Sequence, residues 1–320
     1  MQFYKEILEK QLLKSLFTEE IIRKENWILN ETRNMLVEKH GILPDMWEYT
    51  IRFVNYLKSI KDKEGTYHLN NNIFQTIPNC FFNNVDITIR KKKRIVSNGL
   101  CVIENLKLAD NGKIETLEMN FSFGDNWLNT ISDAQQLFSH EITHAYEGRQ
   151  RLVKGGINLH DEAIRNKYNN VVQRQKFDKS VINRKIGYIL YYLFQFETNA
   201  YIASLYGFLK PYSYSWKSPQ EGYDIIKNNV TFNNYAVIGQ WIEEFSSCEK
   251  HEEIENAWRD SGRSRMSYNS IIKKLKMSYS MRWNQLRKVV SKLLYDLYEE
   301  AKNNVLDEET IWNNDLKTMF

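Results

Sequence analysis

A chain of 320 residues, 42% hydrophobic and 26% charged, can bury a substantial core, and that excludes a disordered protein. A net charge of only +4 argues against a dedicated nucleic-acid binder. Cys80, Cys101 and Cys248 are too few and too scattered for a disulfide scaffold or a cysteine-based zinc finger, so a reducing compartment is expected.

Residues Met1 to Glu6 lack the basic start and apolar core of a signal peptide, and no apolar run reaches about 18 residues. A cytoplasmic protein is expected, virion-associated if the chain is phage-encoded. Helical patterns cover Phe3 to Phe17, Thr18 to Lys39 and Pro44 to Lys61. Strands follow at Val85 to Arg90, Gly99 to Leu106 and Ile114 to Phe123, a small antiparallel meander by pattern. The cation run Arg90 to Arg94 reads as a solvated hairpin tip, and Asn111-Gly112 as a tight turn. After the strands, Ser132-Asp133-Ala134-Gln135 has the form of a capping box, and Gly148 that of a helix stop.

Further helices are expected at Asp161 to Phe177, Asn183 to Phe208, Ser218 to Asn228, Phe232 to Ser246 and Ile271 to Ala301. The last carries a near-heptad seam expected to pack on its own protein. With four Pro and thirteen Gly, no flexible linker stands out. The fold class is α+β, mostly α: a small antiparallel sheet between helical flanks. Soft boundaries near Asn70 and Pro211 divide it into an N-terminal helical region (1–70), a core (71–210) and a C-terminal helical region (211–320).

The chemistry lies in His140-Glu141-Ile142-Thr143-His144. On a helix, residues four apart stand on one face, so both imidazoles can reach one tetrahedral ion. Glu141 projects beside them, where a carboxylate can take a proton from water as it attacks a carbonyl. Ala134, Leu137, Phe138, Ile142 and Ala145 supply the stripe that buries this helix.

A catalytic zinc site needs a third protein ligand. The HExxHxxGxxH arrangement is excluded, because positions 147 and 150 are Glu147 and Gln150. His160 and Asp161 are weak candidates in an apparent loop. Glu197 is the stronger one, because it lies in an apolar, aromatic helical run where a lone carboxylate is costly to bury unless paired or metal-bound.

His140, Glu141 and His144, followed by Glu-x-x-Ala at Glu197, resemble the gluzincin branch of the zincin metallopeptidases. The resemblance implies a zincin core in which His140, His144 and Glu197 bind Zn²⁺ and Glu141 is the general base. It also implies that the strand from Glu115 to Phe123 forms the upper rim of a cleft and pairs with an extended peptide. Tyr201, four residues beyond Glu197, is a candidate to stabilise the oxyanion, with Tyr146 and Tyr191 comparable. Glu147 is a candidate to orient an imidazole from behind.

The reading is a zinc metallopeptidase acting on a peptide or protein substrate. The alternative is a structural or assembly protein, such as a phage virion component, that keeps a zincin-like fold with little or no activity.

Overall fold

The computed structural model of the protein describes residue 43 and residues 45–60, 64–91, 98–101, 106–124, 131–153 and 170–304. The helices expected at 3–17 and 18–39 lie outside them, as do His160 and Asp161. What is described is α+β and mostly helical, as the sequence patterns predict.

Helix α1, Met46–Ser59, buries Met46, Tyr49, Thr50, Phe53, Val54 and Leu57, the three-and-four spacing of one helix face. Strands β1 (Gly65–Leu69), β2 (Phe82–Lys91), β3 (Asn98–Cys101) and β4 (Ile114–Phe123) form one sheet in the order β1-β2-β4-β3. It is mixed, not the antiparallel meander expected: β2 and β4 run parallel, with Val85 opposite Leu117 and Ile89 opposite Phe121. β1 pairs antiparallel with β2, and β3 with β4. The physical reason is burial. Val85, Ile87 and Ile89 of β2 and Leu117, Met119, Phe121 and Phe123 of β4 are all inaccessible, so the two long strands share the centre. The four-residue β3 takes the edge.

A second correction follows from the same order. The strand expected to rim the cleft is β4, but β2 pairs along one of its edges from Ile114 to Phe123 and β3 takes the other from Met119 to Ser122. Over that stretch neither edge is open to a peptide. Beside the helix of the motif, the sheet instead ends in β3. The Asn111-Gly112 turn does form, with Gly112 at φ 70° and the Asn111 side chain accepting from Lys113 N at 3.0 Å. It joins an isolated bridge, Leu108 to Ile114, to the start of β4.

Helix α2, Ile131–Val153, lays Ala134, Phe138, Ile142 and Ala145 into the core. Phe138 stacks on Phe53 of α1 at 4.3 Å and lies 6.0 Å from Phe121 of β4. Such ring pairs contribute about 0.5–1.5 kcal/mol each beyond their buried area. They fix the rotation of α2, hence which side chains it presents elsewhere. Both expected ends of α2 shift outward: Ser132 is a helical residue and not its cap, and the helix passes Gly148. A mid-helix Gly costs about 1 kcal/mol. Arg149 offsets that cost by donating to the Gly112 carbonyl at 2.8 Å, and Arg151 by donating to that of Glu147.

The remaining helices are α3 (Val181–Tyr192), α4 (Gln195–Ser213), α5 (Pro219–Ile226), α6 (Val230–Ser246), α7 (His251–Asp260) and α8 (Tyr268–Asn304). Ser180 caps α3 and Asn229 caps α6 through their side-chain oxygens. Helix α7 was not anticipated. The single helix expected over Asn183 to Phe208 is instead broken at Leu193 and Phe194. No Pro or Gly marks the break. Tertiary partners take the carbonyls that it frees: the Tyr235 hydroxyl donates to Tyr192 O at 3.1 Å, and Arg282 Nε to Leu193 O at 3.1 Å. On α8, Leu275, Leu286, Val290, Leu293 and Leu297 are buried, so the seam is used inside the protein.

Contacts divide the described residues into two units. One holds the sheet, α1, α2, residues 199–223 and the end of α8; the other holds residues 170–198 and 224–292. The division falls inside α4, between Thr198 and Asn199. Among the described residues no helix is long and apolar enough to cross a membrane.

Candidate metal centre

Helix α2 places His140 and His144 one turn apart, with their Nε2 atoms 3.1 Å from each other. The rings meet edge to face, centroids 4.7 Å apart. The turn that carries them is anchored on the side facing α1: the Ser139 and Thr50 hydroxyls share a hydrogen bond of 3.1 Å, and Thr143 Oγ1 donates back to Ser139 O at 2.7 Å.

Helix α4 runs against α2. Asn199 Nδ2 donates to Glu147 Oε1 at 2.7 Å, and the Tyr201 ring lies 4.9 Å from that of His140. Further along, Gly207 passes so close to Ser139 that a Cβ there would collide with its hydroxyl. Glu197 lies in the first turn of α4, two residues before Asn199 and four before Tyr201, so the continuous helix carries it to the histidine pair. His140, His144 and Glu197 each offer one donor atom, and these atoms all lie within 4.8 Å of one another. No protein family, curated protein or solved structure matches the chain.

The donor set is therefore judged on its own chemistry. Two imidazole nitrogens bound to one tetrahedral Zn²⁺ sit about 3.3 Å apart, close to the spacing of this pair. His140, His144 and Glu197 are 8%, 7% and 4% exposed, a burial ordinary for metal ligands. Among the described residues the group has three members and no cysteine. Structural zinc sites are closed by four protein ligands, whereas three leave a coordination position for water or substrate. Two nitrogens and one carboxylate oxygen suit a divalent transition-metal cation, zinc among them. The residues fit the ion.

Glu141, also buried at 7%, lies between the two histidines along α2. The three tyrosines weighed from sequence are separated by the structure. Tyr201 is against His140, Tyr146 packs on Phe81 at 5.5 Å, and Tyr191 lies under the ammonium of Lys176 at 3.4 Å. Burial pushes that ammonium down to about 8, while the negative charge of Glu197 acts in the opposite direction.

Three residues near the centre escaped sequence reasoning: Asn199, Lys176 and Gly99. The Asn199 side chain was findable in principle, since it lies on the same short segment as Glu197. Lys176 gave no signal, because its relation to Glu197 is made by the fold and by no spacing.

Proposed function

We propose that the protein is a zinc-dependent metallopeptidase. The observation that carries the reading is the buried convergence of His140, His144 and Glu197 beside Glu141. His140 and His144 would hold the ion through imidazole nitrogens, and Glu197 would supply the single negative charge of the ligand set. A bound zinc would supply Lewis acidity to a carbonyl oxygen and to the attacking water.

Glu141 does the proton work. Its carboxylate accepts a proton from the water as the water oxygen bonds to the carbonyl carbon. It then delivers that proton to the amide nitrogen as the carbon–nitrogen bond breaks. The products are a carboxylic acid and an amine, which ionise to a carboxylate and an ammonium at neutral pH. Tyr201 braces His140 with its ring, and its hydroxyl is the candidate donor to the oxygen that gains charge.

The test is Glu141→Gln, which keeps size and hydrogen bonding but cannot accept the proton. The purified variant is expected to bind zinc like the parent and to lose peptide hydrolysis. Equal turnover by the two would overturn the mechanism, and a metal-free parent would overturn the site.

A further inference from the structure

Gly99 stands at the middle of β3, opposite Phe121 of β4, with Asn98 and Leu100 paired on either side of it. The strand is held there by its ladder to β4. On its other flank it lies over one face of α2. A Cβ added at Gly99 would meet Glu141 Cγ at 2.8 Å, Leu137 Cγ at 3.0 Å and Glu141 Oε1 at 3.1 Å. Ordinary carbon contacts begin at about 3.5 Å, so even a methyl group does not fit.

The demand is for space and not for an unusual backbone. The glycines with positive φ among the described residues are Gly112 and Gly262, and Gly99 is not one of them. Neither wall retreats easily, since β3 is tied to β4 and α2 is locked by Phe138 and Ile142. What yields is the Glu141 side chain, which turns by rotation about its own bonds.

We infer that Gly99 is a positioning residue for Glu141: the bare edge-strand backbone forms one wall of the slot that aims the carboxylate. The catalytic part of this inference rests on the metallopeptidase reading; the packing part does not. Proton transfer needs the base within about 2.6–3.2 Å of its partner, and a misplacement near 1 Å costs about a hundredfold in rate.

The test is a thermal double-mutant cycle joined to kinetics. Gly99→Ala is expected to lower Tm in the parent and to lower it much less beside Glu141→Ala, which removes both Glu141 atoms from the slot. Additive losses would overturn the inference. In the Gly99→Ala enzyme, kcat is expected to fall about a hundredfold while KM and zinc content stay near parental values. Parental kcat would overturn it as well. Should Gly99→Ala alone fail to fold, Gly99→Ala/Glu141→Ala must fold, and failure of both would again count against it. A zinc-loaded parent that hydrolyses no peptide would remove the metallopeptidase reading, and the thermal cycle would still decide whether Gly99 holds Glu141.

Discussion

Asn199 Nδ2 donates to Glu147 Oε1 at 2.7 Å, a bond between residues 52 positions apart. It joins α4 two residues after Glu197 to α2 three residues after His144. The two helices that supply all three donors are thereby tied beside the donors themselves. Groups hydrogen-bonded directly to metal ligands are worth about 10–100-fold in affinity, so a tie one step removed is set at the low end of that range. Asn199→Ala removes no ligand, yet it is expected to weaken zinc binding about tenfold in a chelator competition. Asn199→Asp, which sets like charges against each other, is expected to weaken it further. Unchanged affinity in both variants would refute the role.

Tyr201 separates packing from chemistry. Its ring lies against His140, and removal of the hydroxyl leaves that contact in place. Tyr201→Phe is expected to keep parental Tm and zinc content while kcat falls about a hundredfold, the usual cost of one lost oxyanion donor. Tyr201→Ala loses the ring as well, and is expected to lower zinc affinity and Tm together. If the Phe variant turns over like the parent, the ring is packing and the oxyanion donor is another group.

The motif helix was legible because its signal is local: two histidines four apart and an apolar stripe that only a helix satisfies. Glu197 was legible through its cost, since a carboxylate in an apolar run needs a partner. What was not legible depended on distant partners. No residue within 183–208 announces the break at Leu193, because Tyr235 and Arg282, which stabilise it, come more than forty residues later. The sheet order was hidden for a similar reason. Alternation shows which side of a strand is buried but not which strand stands beside it, so β2 reads as a neighbour of β3 and in fact pairs with β4, whereas the antiparallel pairing of β3 with β4 does form. Gly99 shows as a glycine in a strand, and only the packed helix explains it.

Lys176 gives a pH dependence whose sign can be worked out. Its folded-state value is about 8, lowered by burial, whereas a lysine in the unfolded chain titrates near 10.4. Below pH 8 both states carry the proton and the cost of burying the cation is fully present. Between about 8 and 10.4 the unfolded state binds more protons, so this residue makes stability rise with pH. The side chain is only half-buried, and after solvent screening the increment is about 1 kcal/mol. Urea titrations of the parent and Lys176→Met at pH 7 and pH 10 are expected to differ by that rise, present in the parent and absent in the variant. Parallel behaviour of the two proteins would show that Lys176 titrates like a surface lysine.

Gly207 tests whether the crossing of α4 over α2 holds the donors together. A Cβ there would collide with the Ser139 hydroxyl and would lie 3.1 Å from the Gln135 carbonyl. The hydroxyl is already engaged by Thr50, and the carbonyl belongs to the helix backbone. Neither obstacle is the free end of a flexible chain, so the two helices must separate to admit the methyl group. Overpacking of this kind costs about 1–3 kcal/mol, well above the small gain that alanine brings to a helix interior. Separation moves Glu197 away from His140 and His144, because Glu197 rides on the displaced helix. Gly207→Ala is therefore expected to lower Tm and to weaken zinc binding in the same protein, although it lies ten residues from Glu197. A variant with reduced Tm and parental zinc affinity would show that the first turn of α4 is held by Asn199 and Tyr201 alone, independently of the crossing.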